Sequence, residues 1–485
     1  MRFHGVNQFN AFPYVVRSGG MINAFGPAMG HKAVHPQTGD VTLSCAGFNK
    51  KNEYDRQTPV DQDYLRKMAR RTDAGLLTTW FNRDVVGVFK QHHAFDAEGL
   101  FVGDASYLFV PDNPHYEGSS RLLFDEHNHP VDSQKLTSQQ RRRYVWRRCY
   151  KFISLIHINR KGDFFLYTAV RVVAGKYHEC PILYQMIEDF IAYHGKGIIK
   201  KLLVDRGFLD GPNIGRCKQE WGIDVLIPVR RDMDIYQDML GLAKAGELDF
   251  KPWVLLSPPA KPVPVHRPQS ISKREEARQR TLAQRKAQAA ADAKATVSSS
   301  TPVRSEVAAL AAVRTFTSCP VPLDVIINKE IYADSHEDYW MLLSTATVTD
   351  PVLGRQDYAL RTTIEERHRQ LKCFSDLEGF SSRSFNLVVN QVVFILLTYS
   401  LLQWYLQRLD RQELNPKTRP RTLDLLGPTI TNILIYYKDY VAFLSPLQHQ
   451  ELVLTLEEEA RKKILAKTRA LRRSLANQLS NPRPP

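Results

Sequence analysis

The 485-residue chain has no CxxC pair, and its six cysteines (45, 149, 180, 217, 319 and 373) are scattered. That spacing excludes a zinc ribbon and a disulfide scaffold, and it suits a reducing cytosol. The opening "MRFHGVNQFNAFPYVV" lacks the uninterrupted apolar core of a signal peptide. There is no internal repeat, and no Gly-rich loop followed by Lys-Ser or Lys-Thr, which argues against an ATP-driven helper. Long apolar runs are also scarce. "LVVNQVVFILLTYSLLQWYL" (387–406) has the length of a membrane span, but Asn390, Gln391, Gln403 and Trp404 interrupt it and no second run exists. A buried core helix is the better reading, and no membrane partner is expected.

What the sequence has in excess is positive charge. Lys plus Arg is 66 against 51 Asp plus Glu, a net +15, in a chain whose 43% hydrophobic and 10% aromatic content is that of a globular protein. Such an excess favours a polyanionic partner, nucleic acid or an acidic membrane, over the plainer reading of a basic soluble enzyme. "RRRYVWRRCYK" (141–151) concentrates it: six bases and no acid, interleaved with Tyr144, Trp146 and Tyr150. It reads as phosphate contact with base stacking, or as a solvated basic face. The histidines of "HHAF" (92–95) and "DEHNHP" (125–130) lack companion metal ligands at usable spacing. "HEC" (178–180) is not followed by the PCxxC of a zinc deaminase.

Along the chain, the first fifty residues are irregular and helical rhythm begins near residue 60. "GLFVGDASYLFV" (99–110) reads as a strand with an acid in its middle. "KFISLIHINRKGDFFLYTAVRVVAG" reads as two strands joined by a hairpin at Asn159 to Asp163. "CPILYQMIEDFIAYHGKG" is an amphipathic helix stopped by Gly195 and Gly197, and "IIKKLLVDRGFL" is a buried strand running into Asp205. "DGPNIGRCKQEWG" is a short helix with Asp210 as N-cap and Gly222 as stop, followed by the strand "DVLIPV". That order predicts a mixed α/β sheet, antiparallel first and parallel later. Residues 252–268 then hold six prolines, and 273–294 carry seven basic and three acidic residues in an Ala-rich stretch. We read about 256 to 320 as a mobile or solvent-exposed insertion. Strand returns at "DYWMLLSTATVTDP" (338–351), a helix is expected after Gly354, and a long apolar helix at 385–408. The tail from 451 reads as an amphipathic helix, acidic first and basic last.

Chemistry concentrates in "YALRTTIEERHRQLK" (358–372). At about 100° per residue, offsets of 0, 3, 7 and 14 place Tyr358, Arg361, Glu365 and Lys372 within an arc of about 60°, beside a flank of Leu360, Ile364 and Leu371. A solvated helix with an Arg361–Glu365 ion pair is the bland alternative. Two further acids weigh against it. Asp104 sits mid-strand between Gly103 and Ala105, where a carboxylate is costly unless it meets a cation. Asp205 lies at the carboxyl end of its strand, where ligands collect in such sheets. Three hard oxygen donors without His or Cys suit Mg²⁺ or Mn²⁺, and three carboxylates can hold two such ions for phosphoryl displacement. Asp112 competes with Asp104 as first acid, and Glu366 with Glu365 as third.

Asp104 in "GDAS", Asp205 in "VDRGF" and Glu365 in "IEERHRQLK" resemble the Asp-Asp-Glu triad of bacterial insertion-sequence transposases. Tyr358, Arg361, Glu365 and Lys372 fit that family's subgroup signature Tyr-x2-Arg-x3-Glu-x6-Lys at all four positions. The resemblance covers roughly 96–230 and 336–405. It implies a ribonuclease-H-like fold: a mixed five-stranded sheet with flanking helices, interrupted by a large insertion before the last catalytic helix. It implies metal-dependent DNA cleavage and strand transfer by Asp104, Asp205 and Glu365 with two Mg²⁺ or Mn²⁺ ions. Tyr358, Arg361 and Lys372, with Arg206 and Arg369, would lie on the DNA. The implied partners are terminal inverted repeats, target DNA and a second copy of the chain on paired ends, in a bacterial, nucleoid-associated cytoplasmic setting. The corresponding division is a possible end-binding region at 1–95, a catalytic core at 96–230 and 336–410, an insertion at 231–335 and a helical region at 411–485. A nuclease that cuts without joining, or a transposase-derived DNA-binding protein, are the alternatives.

Overall fold

The computed structural model describes residues 62–253 and 302–410, without 126–127, 138–140, 142–143, 376 and 381. It also describes two short strand pairs (His31–Val34 with Val41–Ser44, Ile433–Tyr437 with Tyr440–Leu444) and a few residues between 457 and 466. The Ala-rich basic stretch 273–294 and most of the tail helix expected from 451 lie outside the described residues.

Eleven strands form one mixed sheet rather than the five expected. They are β1 (Leu100–Val110), β2 (Ser120–Phe124), β3 (Pro130–Val131), β4 (Val145–Ile158), β5 (Phe165–Ala174), β6 (Lys201–Leu203), β7 (Asp224–Pro228), β8 (Lys251–Trp253), β9 (Arg304–Val313), β10 (Leu323–Ile331) and β11 (Glu337–Ser344). Across the sheet the order is β8-β9-β10-β11-β7-β6-β1-β4-β2-β3, with β5 on the far half of the long β4. β6 is parallel to β1 and to β7; every other pairing is antiparallel. The antiparallel-then-parallel order read from the sequence is therefore present in β1, β4, β5, β6 and β7. Five strands were not read from the sequence: β2 and β3 follow β1, and β8 and β10 flank β9. β9 lies in the stretch expected to be mobile, where "RSEVAALAAV" pairs with β10 and buries Val307 and Ala308. Its alanines carry little strand propensity, and a well-paired central position overrides that.

The helices are α1 (Gln62–Arg71), α2 (Ala74–Thr79), α3 (Val86–Gln91), α4 (Glu179–His194), α5 (Gly211–Trp221), α6 (Asp234–Ala245), α7 (Pro351–Phe374) and α8 (Phe385–Arg408). A π-helical turn, Trp80–Val85, joins α2 to α3. α5 begins after Asp210, whose side chain accepts from Asn213 N, and ends at Gly222 in the left-handed region, as its sequence indicates. α7 starts earlier than expected. Asp350 caps Val352 N and Pro351 takes the first turn, where its missing N–H costs nothing. Gly354 falls inside the helix, and the close packing there requires glycine, since a Cβ would stand 2.3 Å from Ile326 Cδ1.

One apolar layer under α4, α5 and α6 covers one face of the sheet, and a second under α2, α7 and α8 covers the other. α8 is long and apolar enough to cross a membrane by length and composition alone. Its polar residues have a specific use in the fold. β5 has one unpaired edge, and Gln403 Oε1 and Ser400 Oγ accept from Phe165 N and Tyr167 N there at 3.3 and 3.0 Å. Asn82 of the π turn completes the row, accepting from Val170 N at 2.9 Å and donating to Val170 O at 3.1 Å. Side-chain amides and a hydroxyl thus stand in for a missing strand at an edge that would otherwise strand backbone groups in the interior.

Candidate active site

β1 places Asp104 on the face that α7 crosses. Gly103 precedes it because α4 packs so close on the opposite face that a Cβ would meet Leu183 Cδ2 at 2.5 Å. Asp104 is 6% exposed, and its cost of burial is met by two partners from α7, the Arg361 guanidinium and the His368 ring. Arg361 Nη2 donates to Asp104 Oδ1 at 3.1 Å, and His368 Nδ1 lies 3.1 Å from Oδ2. The same Arg361 Nη2 donates to Asp205 Oδ2 at 3.1 Å, so the two carboxylate oxygens are at most twice that length apart. Asp205 sits just past β6, and its Oδ1 accepts from Gly207 N at 2.7 Å, closing the short turn Arg206–Phe208. Arg361 Nη1 reaches Glu365 Oε1, one helical turn on, at 3.4 Å. One guanidinium therefore touches three carboxylates that come from β1, the end of β6 and α7.

The electrostatics divide the acids. Burial opposes the charge on Asp104, but His368 and Arg361 outweigh it and hold the carboxyl below the usual range. Burial wins at Asp205 despite Arg361, and with the Asp104 charge nearby it pushes that carboxyl up. Burial likewise opposes the charge of Arg361, and the acids around it, Asp104 foremost, more than restore it. Tyr358, half-buried one turn before Arg361, is pushed up to about 12 chiefly by burial and stays a hydroxyl donor at neutral pH.

The remaining expected residues fall at different distances from this centre. Lys372 Nζ, at the far end of the row, donates to Tyr107 O at 2.7 Å and pairs with Glu378 at 3.2 Å. Arg206 is exposed beside Asp205. Arg369 forms a two-pronged pair with Glu366, at 2.7 Å for each prong, on the outer side of α7. Of the competing acids, Asp112 meets Arg121 and Arg148 instead, and Glu366 is taken up by Arg369. His368 was not singled out from sequence. Its offset of 10 from Tyr358 puts it about 20° outside the polar arc, the one signal that could have found it. Its Nε2, the Nε of Arg361 and the hydroxyl of Ser154, which lies opposite Asp104 on β4, are buried and have no hydrogen-bond partner among the described residues.

As these side chains lie, no three His, Cys, Asp or Glu groups among the described residues are gathered tightly enough to hold a metal ion. The carboxylates are spread instead around a guanidinium, a larger cation that stands in at their centre. The donor set is all hard oxygen, the chemistry of Mg²⁺ or Mn²⁺ rather than zinc.

Fold and site together define a class: an α/β protein with an acid cluster at the carboxyl ends of the parallel strands of a mixed sheet. The family follows from comparison with known proteins. The profile of the transposase DDE domain matches residues 117–401, more than half of the chain, and the chain belongs to that family. Transposition is accordingly its functional class, and DNA its class of substrate. The match runs through the insertion and includes Asp205 and the whole of α7, but it begins after β1 and leaves Asp104 outside. No curated protein matches the chain.

Proposed function

We propose that this transposase cuts and joins DNA at the acid cluster, with Asp104, Asp205 and Glu365 holding two Mg²⁺ or Mn²⁺ ions in a ribonuclease-H-like core of the Tyr-x2-Arg-x3-Glu-x6-Lys subgroup. One observation carries the reading: three acids from three separate elements face a single cation. When bound, the divalent ions supply activation of the attacking water or 3′-hydroxyl and neutralise charge at the leaving oxygen. The chain's own residues do the rest. Arg361, released from the carboxylates, turns to a phosphate; Tyr358 donates its hydroxyl beside it; Arg206, Arg369 and Lys372 extend the cationic row along the strand. His368 acts as a positioning residue by holding Asp104 Oδ2. The helices from residue 62 to 91 take part in end recognition, and two copies act on paired ends.

The test uses the full chain, Mg²⁺ and plasmid carrying the DNA that flanks the gene. Metal-dependent nicks and joined products are expected, and both disappear in Asp104→Asn, Asp205→Asn and Glu365→Gln. Nicks without joined product would assign a nuclease instead. Binding without nicks would assign a DNA-binding derivative.

A further inference from the structure

Beyond Asp104, β1 carries a face of rings and cations that the chemistry above leaves unused. Tyr107 and Phe109 lie 6.3 Å apart with 24° between their planes, and both stand edge-on to buried Phe124 at 5.1 Å. Arg147 of β4 sits over Phe109 at 4.9 Å, and Lys151 over Tyr107 at 4.9 Å. Lys372 lies 6.0 Å from the Phe109 ring, and Lys176 lies 5.8 Å from the ring of Tyr177, which is 53% exposed. On this side of the sheet α4 packs against Phe101 and Gly103, and its first residue, Glu179, reaches Lys151. Farther along, Tyr107 and Phe109 are half-buried and Val145 is exposed.

Rings interleaved with cations on an open sheet meet both needs of an unpaired strand. The rings offer faces for bases to stack on, and Arg147 and Lys176 meet the phosphates between them, while buried Lys151 is held by Glu179 beneath Tyr107. A duplex keeps its bases stacked inside and has no use for such rings. Tyr107 and Phe109, at odd offsets from Asp104, project from the opposite side of β1. Their face reaches the acid cluster at the start of α4, where Lys151 Nζ is 2.5 Å from Glu179 and a Cβ on Gly207 would stand 3.4 Å from Glu179 Oε1 and 2.9 Å from Asp205 Oδ1. At about 3.4 Å per residue, Tyr107 and Phe109 stand roughly 10 to 17 Å along β1 from Asp104. A net charge of +15 supplies the long-range attraction. We infer that this face of β1, β2 and β4 binds single-stranded DNA, the unpaired strand beside the scissile phosphate; the inference rests on the transposase reading for its place in the reaction.

Fluorescence anisotropy of the full chain with a labelled single strand of mixed sequence, without divalent metal, tests it against a duplex of the same length. Tyr177→Ala changes an exposed side chain and Phe109→Leu keeps an apolar one, so both should fold. Each is expected to weaken single-strand binding about 5- to 150-fold while moving duplex binding less than about twofold. Arg147→Gln should lower the salt slope for the single strand by about 0.7. Equal losses on single strand and duplex, or no loss on either, would overturn the inference. Asp104→Asn separates it from the function. Ring-dependent strand binding that survives this variant while nicking is lost supports the assignment of the face. Nicking by the parent chain without ring-dependent binding sinks the face alone, and ring-dependent binding without any nicking by the parent chain sinks the transposase chemistry alone.

Discussion

Replacing Arg361 by Ala should destabilise the chain by an amount that its three contacts allow to be apportioned. The Glu365 contact contributes little, because that carboxylate is 70% exposed and solvent screens the pair. Asp205 is intermediate, at 35%. Asp104 dominates, at 8%, because losing the guanidinium leaves a buried carboxylate with the His368 ring as its remaining partner on α7. Removing one partner of a buried ion pair typically costs about 3–5 kcal/mol, and the residual His368 contact brings the expected loss for Arg361→Ala to about 2–4 kcal/mol. Urea unfolding at pH 7, followed by tryptophan fluorescence and circular dichroism in parallel, measures it. The double variant Asp104→Asn/Arg361→Ala no longer buries an uncompensated charge, and should recover about 1–3 kcal/mol relative to the sum of the single losses. The sign with pH follows. In the parent chain Asp104 titrates below its unfolded value, so its contribution is present above that value and is lost as pH falls through the folded one. Without Arg361 the depression shrinks, and the deficit of the variant should narrow as the solution is acidified. A loss below about 1 kcal/mol, or strictly additive single and double variants, would show that Arg361 does not compensate Asp104.

Other predictions follow from single contacts. His157, buried beside Asp96, is lowered to about 4 by burial. A depressed His contributes fully above its unfolded value of about 6.5, so the parent chain should lose about 3 kcal/mol more than His157→Gln between pH 6.5 and 4. Gly103→Ala should cost about 1–3 kcal/mol, since α4 cannot accept a methyl 2.5 Å from Leu183 without moving; a variant as stable as the parent would disprove that packing. Asn82→Ala removes both bonds to Val170, so exchange of the Val170 amide should accelerate by about 5- to 150-fold, for a local loss of about 1–3 kcal/mol. Unchanged protection would mean that the edge is sealed by other means.

Much of the central architecture was legible because its signals are local. Asp210 and Gly222 bracket α5 as cap and stop, the 159–163 hairpin separates β4 from β5, and α8 runs over the residues of the apolar stretch. The need of Asp104 for a cation was also readable, since a charge in the middle of an apolar strand has few other outcomes. What stayed hidden depends on distant partners. β9 is built from alanines that mean nothing until β10 lies beside them. Gln403 of α8 looks like an interruption until β5 needs acceptors for its free amides, a need Ser400 also meets. His368 escaped because helical phase alone cannot say which neighbour of a polar stripe reaches a strand on another element. The family match supports the transposase class and leaves the roles of the individual acids to experiment.

The strands beyond β7 also fix a distance. Residues 254–303 leave the sheet at Trp253 and return at Arg304, on the outermost pair β8 and β9. Five strand spacings of about 4.8 Å separate β8 from β6, so this long connection is anchored roughly 24 Å from the strand that ends at Asp205. Arg355 ties that outer region to the first turns of α7, wedged 3.8 Å from the Trp253 ring and 5.0 Å from Trp340 while held by Glu330 at 3.0 Å. The helix that carries Arg361 is thereby pinned at its start to the outermost strands of the sheet, through a guanidinium held between two tryptophans and an acid.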